Sequence, residues 1–108
     1  MSQNLAWCAL ILAGIFEIVW AYFLKESHGF TKIIPTILFI LTLAISMTLL
    51  ALSVKIIPIG IAYPIWTGIG AVGSVIVGAI FFGEALTLLS GIFLMMIISG
   101  IVGLKFFA

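Results

Sequence analysis

Charge is the scarcest property of this chain: of 108 residues, four are Lys or Arg and three are Asp or Glu, 6% of the sequence against 66% hydrophobic. So few charges cannot clothe a water-facing surface, which excludes an ordinary soluble domain and indicates an integral membrane protein. The formal net charge of +1, with no basic cluster, speaks against a nucleic-acid partner and against a polybasic lipid-binding tail. The single cysteine, Cys8, cannot close an intrachain disulfide and lies in an apolar stretch, so a small buried thiol is expected. Absent too is any nucleophile and base pair or metal-ligand cluster, so neither an enzyme nor a bound metal or cofactor is expected. Met1 to Asn4 carries no Lys or Arg, and the apolar run after it is long; the first segment reads as a retained span and not a cleaved signal peptide. No linker or low-complexity tract interrupts residues 1–108, which are read as a single transmembrane domain.

What the chain does have is long uncharged runs. Lys25, Glu26, Lys32, Lys55, Glu84 and Lys105 divide it into stretches near or above the about 20 residues that a membrane-spanning helix needs. The expected fold is therefore all-α, with four transmembrane helices over about 5–24, 33–54, 58–82 and 86–107. Of the seven formal charges only Glu17 falls inside a span. A carboxylate there costs about 2.5 to 3.5 kcal/mol on insertion scales, so it is read as functional, a place where a cation is handled.

On a helical wheel Ala6, Ala9 or Leu10, Ala13 or Gly14, Glu17, Trp20 or Ala21 and Leu24 share one face of the first span. Small residues flank the carboxylate, which points it into protein or a wet cavity and away from lipid. His28, in the polar loop Lys25 to Thr31, reads as a solvated side chain. The second span begins near Pro35 and carries Thr42, Ser46, Thr48 and Ser53, hydroxyls that ordinarily back-bond to their own helix. The third span is rich in glycine and contains Pro64, which cannot donate to the Gly60 carbonyl. A kinked helix through Pro64 is favoured over a helix that starts there. Tyr63, Trp66, Gly70 and Ser74 share a face, where a binding role and an interfacial anchor role stand equal. In the fourth span Ser99, Gly100 and Gly103 form a small-residue stretch suited to helix association.

Orientation adds a constraint. With four spans, Lys55 and Lys105 lie on the membrane face that holds the termini, while Lys25 and Lys32 lie on the other, two against two. The positive-inside rule then has no bias to act on, and the chain could insert both ways. Four helices are too few to enclose a pathway, and alternating-access carriers commonly use two inverted repeats. No internal repeat is visible; an antiparallel homodimer of a dual-topology chain would supply the inversion and bring two copies of Glu17 together. A heterodimer with an oppositely oriented paralogue is the alternative assembly.

The stretches Ala13-Gly14-Ile15-Phe16-Glu17-Ile18-Val19-Trp20-Ala21, Gly29-Phe30-Thr31, Pro58 to Gly70 and Gly103-Leu104-Lys105 resemble the small multidrug resistance family, in order and over essentially the whole chain. Trp20 one turn past the glutamate, with Trp66-Thr67-Gly68-Ile69-Gly70, is similar to the SugE-like, guanidinium-exporting branch. The resemblance implies an antiparallel dimer in the bacterial inner membrane that exchanges protons for guanidinium ions. In it Glu17 corresponds to the shared proton and substrate site, and Gly14 is counted among the substrate-pocket and glutamate-orienting residues. Trp20 and Ser46 correspond to side chains that orient the glutamates, Tyr63 and Trp66 to pocket residues, and Gly68 and Gly70 to a hinge. Pro64 and Ile61 depart from the family pattern, which commonly has alanine and threonine there, and both flank the pocket. The chemistry agrees: a planar guanidinium offers a fork of N–H donors that a carboxylate accepts in bidentate fashion. Rival functions are a polyspecific exporter of quaternary and aromatic cations, and a non-transporting membrane subunit whose Glu17 pairs with a partner's basic residue.

Overall fold

The computed structural model describes residues 1–108 and contains four α-helices: α1 (Gln3–Glu26), α2 (Ile33–Ser53), α3 (Ile59–Phe81) and α4 (Leu88–Phe107). All four are long and apolar enough to cross a membrane. At about 1.5 Å rise per residue, helices of 20 to 24 residues span a hydrocarbon core of about 30 Å. The chain is a multi-pass membrane protein.

Local chemistry sets the ends. Ser2 caps α1 by accepting from the Leu5 N–H at 3.2 Å, and Thr87 caps α4 by accepting from the Ser90 N–H at 3.1 Å. Such caps satisfy donors that a helix leaves unpaired in its first turn. Between α1 and α2 the chain turns through His28, Gly29 and Phe30 with φ of +48°, +71° and +66°. Left-handed backbone is ordinary for glycine and costly for the other two. Ser27, completely buried, holds the turn: its hydroxyl donates to the Leu24 carbonyl at 2.7 Å and accepts from the Phe30 N–H at 3.1 Å. Its carbonyl accepts from the Thr31 and Lys32 amides. His28 is exposed.

α3 runs without interruption through Pro64, so the helix starts at Ile59 and not at the proline. α4 begins at Leu88, two residues later than the sequence pattern suggested, because Thr87 and not the apolar Leu86 supplies the cap.

α1 lies between α2 and α3, whereas the backbone of α4 approaches α3 alone. The chain is flattened, its Cα trace measuring 39 × 34 × 17 Å. Its core is one cluster of Ala6, Leu10, Ala13, Leu50, Ile57, Ala62, Ile65 and Trp66, all from the α1–α2–α3 trio and the turn before α3. α4 has no buried residue.

The stripe expected on α1 is present as Ala6, Ala9, Leu10, Ala13 and Gly14, all buried. Cys8 corrects one expectation: it is exposed, because two residues past Ala6 the helix has turned by about 200° and faces away from the stripe. Close approach of α1 and α3 depends on glycine. A Cβ on Gly14 would stand 2.8 Å from Ile69 Cγ2, and one on Gly73 would collide with the Ile18 side chain. Gly73→Ala is therefore expected to destabilise the folded chain by about 1–3 kcal/mol, read by denaturant unfolding in detergent. Ile18→Ala removes the atoms that collide, so the double variant should be more stable than the sum of the single costs; strict additivity would contradict this packing.

Candidate functional site

Glu17 sits on the α1 face that turns toward α3, one turn beyond the buried stripe. Its carboxylate lies directly against the backbone of Gly70, where any Cβ would overlap it. Gly14, one turn earlier on α1, meets Ile69. Glycine at 14 and 70 is thus what lets a carboxylate enter the α1–α3 interface at all.

Two polar atoms there have no partner in the chain: Glu17 Oε2 and Trp20 Nε1 are both buried and make no hydrogen bond. One is an acceptor and the other a donor, and three residues separate them on α1, so they lie on the same side of the helix. Because buried polar groups in proteins are almost always paired, two orphans within one turn mark a place built to receive something. The Trp20 ring packs edge-on against Phe39 of α2, with centroids 5.7 Å apart, and Phe39 packs against Phe30 of the first turn at 5.4 Å. This stack fixes the indole against α2.

Ser46 is placed differently from the role the family resemblance implies. Its hydroxyl donates to the Ala13 carbonyl of α1 at 2.7 Å and accepts from Trp66 Nε1 at 3.0 Å. A hydroxyl has one hydrogen, so within one chain Ser46 does not also donate to Glu17. Ala13 O is the carbonyl four residues before Glu17, the acceptor of the Glu17 amide in a regular α-helix. Ser46 therefore braces the turn of α1 that carries the glutamate, and Trp66 locks the brace from α3. Thr42, Thr48 and Ser53 instead back-bond to their own helix, as hydroxyls in apolar helices usually do.

Of the other residues singled out in the sequence, Trp66 is buried and Tyr63 half exposed, their rings 5.3 Å apart. Gly70 is at the carboxylate, but Gly68 faces α4, where a Cβ would stand 3.0 Å from Ile101. Both glycines lie within unbroken helix. Ser99 donates back to the Met95 carbonyl at 2.8 Å, and nothing lies within 4 Å of a Cβ built at Gly100 or Gly103. Gly14, Glu17 and Gly70 are thus brought together at the α1–α3 contact, Trp20 packs one turn further on against α2, Ser46, Trp66 and Tyr63 form an adjoining layer, and the α4 residues stand apart. Sequence reasoning missed Phe39, an ordinary apolar residue without a distinguishing pattern that packs against Trp20, and it had Ile69 only as part of the α3 hinge motif, not as the side chain that meets Gly14.

Comparison with known proteins fits this arrangement. The family model described as Small Multidrug Resistance protein matches residues 5–98. The chain belongs to the small multidrug resistance family. A protein of Proteus vulgaris named guanidinium exporter is 48% identical over 101 residues, covering 94% of this chain and 97% of its own length. Proteins of the same name from Yersinia pestis and Escherichia coli (strain K12) are 46% and 43% identical, again over 94% of this chain. These relatives are named as transporters and not as enzymes, and family membership agrees with the four apolar helices.

The Trp66–Ser46 bond predicts a specific coupling. Ser46→Ala leaves the Trp66 N–H buried without an acceptor, at a cost of about 1–3 kcal/mol. In a Trp66→Phe background, where no N–H remains, the same change should cost clearly less. Equal costs in both backgrounds, measured by unfolding in detergent, would show that the bond does not form.

Proposed function

We propose that this protein is a proton-coupled antiporter that exports guanidinium ions across the bacterial inner membrane, working as an antiparallel dimer of residues 1–108. The observation that carries the proposal is the buried, unpartnered pair of Glu17 Oε2 and Trp20 Nε1. A guanidinium ion offers N–H donors in a plane, and the carboxylate is the acceptor that such a fork fits best. The guanidinium-exporter name of relatives 43% to 48% identical supports the substrate.

Coupling follows from one acceptor serving two ligands. A protonated Glu17 has lost the charge that holds a cation, and a cation-bound Glu17 disfavours the proton. When the site opens alternately to each side, competition becomes exchange. In the dimer two Glu17 carboxylates meet and titrate as a coupled pair. Trp20 donates to the ionised carboxylates and orients them, Tyr63 and Trp66 wall the pocket, Gly14 admits the carboxylate, and Gly68 and Gly70 serve as the hinge of α3. Ser46 acts through α1 and Trp66.

The second copy of the chain is supported by the shape and the charge of the first. The chain is flattened, 17 Å in its thin Cα dimension, and α4, with no buried residue, presents Ser99, Gly100 and Gly103 as a small-residue surface for a partner helix. The balanced lysines permit the inverted orientation in the lipid bilayer.

Reconstituted into liposomes, the wild-type protein should move protons in response to a guanidinium gradient, and Glu17→Gln should not. Normal transport by Glu17→Gln would overturn the mechanism. Gly70→Ala pushes a methyl into the carboxylate and should raise KM by up to about 100-fold, the scale of a misplaced reacting group. Tetraalkylammonium ions that drive proton flux as well as guanidinium does would favour the polyspecific reading instead.

A further inference from the structure

A second polar feature lies two turns along the same interface, toward the loop end. On α1, Glu17, Ala21 and Lys25 follow at four-residue steps; on α3, Gly70, Ser74 and Gly78 do the same. Eight residues of helix place Lys25 about 12 Å beyond Glu17. There a cleft of about 80 Å³ is lined by Ala21, Lys25, Ser74, Gly78, Phe82 and Glu84, among others.

Three features of this cleft match a small planar cation. First, Glu84 is held in place: Gly83 turns the chain back at φ +64°, so the Glu84 N–H bonds the Gly78 carbonyl at 3.0 Å. The Glu84 carboxylate then rests against Gly78, where a Cβ would collide with it. Second, the Ser74 hydroxyl spends its hydrogen on the Ala71 carbonyl at 2.9 Å, which leaves its lone pairs as acceptors on the cleft wall. Third, an aromatic face is present, and a cation already uses it. Lys25 Nζ lies 5.9 Å from the Phe82 ring centroid and 3.9 Å from Glu84 Oε2.

That lysine is loosely held. Its pairing distance is at the limit for a salt bridge, and both side chains are more than half exposed, a setting in which ion pairs contribute little. Guanidinium is better suited to the same place, because it donates as a fork and stacks flat on an aromatic ring, whereas an ammonium is a compact point charge. The volume is enough for an ion of four heavy atoms.

We propose that this cleft is a second guanidinium-binding site, a vestibule at the loop end of the α1–α3 interface in which Lys25 is an internal competitor for Glu84. It rests on the guanidinium reading of Glu17. In an antiparallel pair, one such vestibule would open to each side of the membrane.

The test exploits opposite signs. In liposome transport Glu84→Gln should raise the KM for guanidinium by about two- to fivefold, the scale of an exposed ion pair. Lys25→Gln should lower it, with Ile33→Lys in the same chain so that this membrane face keeps its lysine count. A pair that only supports structure would shift both variants the same way, and either that result or no shift overturns the proposal. Independently, in Glu17→Gln protein the Gly78 and Glu84 amide resonances should move on titration with guanidinium chloride and not with sodium chloride. If wild type transports guanidinium but those resonances stay still, the vestibule fails alone; if they move and wild type exchanges no protons for guanidinium, the antiport reading fails instead.

Discussion

The carboxylate of Glu17 against the backbone of Gly70 is the contact on which the rest of the structure depends. An ionisable group inside a membrane span is costly unless something receives it, and within its own chain nothing receives Oε2. What the chain supplies instead is access and rigidity. Glycines at 14 and 70 let α1 and α3 close around the acid, and the bond relay from Trp66 through Ser46 to Ala13 ties three helices together one turn before it. The site is thus held firmly and left chemically open.

This divides the chain into two kinds of helix. α1, α2 and α3 share the core cluster, and their hydrogen bonds between elements converge on Ala13 and Ser46. α4 leans on α3 through contacts such as Ile97 and Ile101 over Gly68 and buries nothing of its own. In water such an exterior would be an aggregation hazard; in lipid it carries no such penalty, because acyl chains are as apolar as the side chains that face them. Helix association in that solvent is driven by packing and polar bonds, which explains why close glycine contacts are concentrated at α1–α3 and why the only interhelical side-chain hydrogen bonds surround the functional layer.

Much of this was legible in the sequence. The positions of six charges outside the spans set the number of helices, and the one charge inside them singled out the candidate site. The buried stripe of α1 followed from spacing alone. What a helical wheel cannot give is the neighbour that a face meets. By spacing Ser46 looked like any hydroxyl in an apolar helix and only the family resemblance singled it out, as a side chain that orients the glutamate; the packing of α2 on α1 and α3 shows that it bonds Ala13 and Trp66 across helices while Thr42, Thr48 and Ser53 bond within. Cys8 was misjudged because hydrophobicity in a membrane span does not distinguish an inward face from a lipid-facing one. Ser27 gave no hint of its role, since the left-handed run at His28, Gly29 and Phe30 that it holds carries glycine at only one of its three positions. Gly73 and Gly78 were visible as glycines but not as contacts, because what each admits depends on how the chain packs: Ile18 arrives from α1, and Glu84 is folded back by the turn at Gly83.

The same physics bears on selectivity. A loose pocket accommodates varied cations by repacking, but here the acid lies directly against the Gly70 backbone, which cannot give way without moving a helix. Recognition must then come from hydrogen bonds to a ligand that fits between fixed groups, and a planar ion with several N–H donors gains most from such an arrangement. A bulky apolar cation gains little from the carboxylate beyond its charge. Rigidity around an unpartnered acceptor therefore favours a small donor-rich cation on geometric grounds, independently of any kinship.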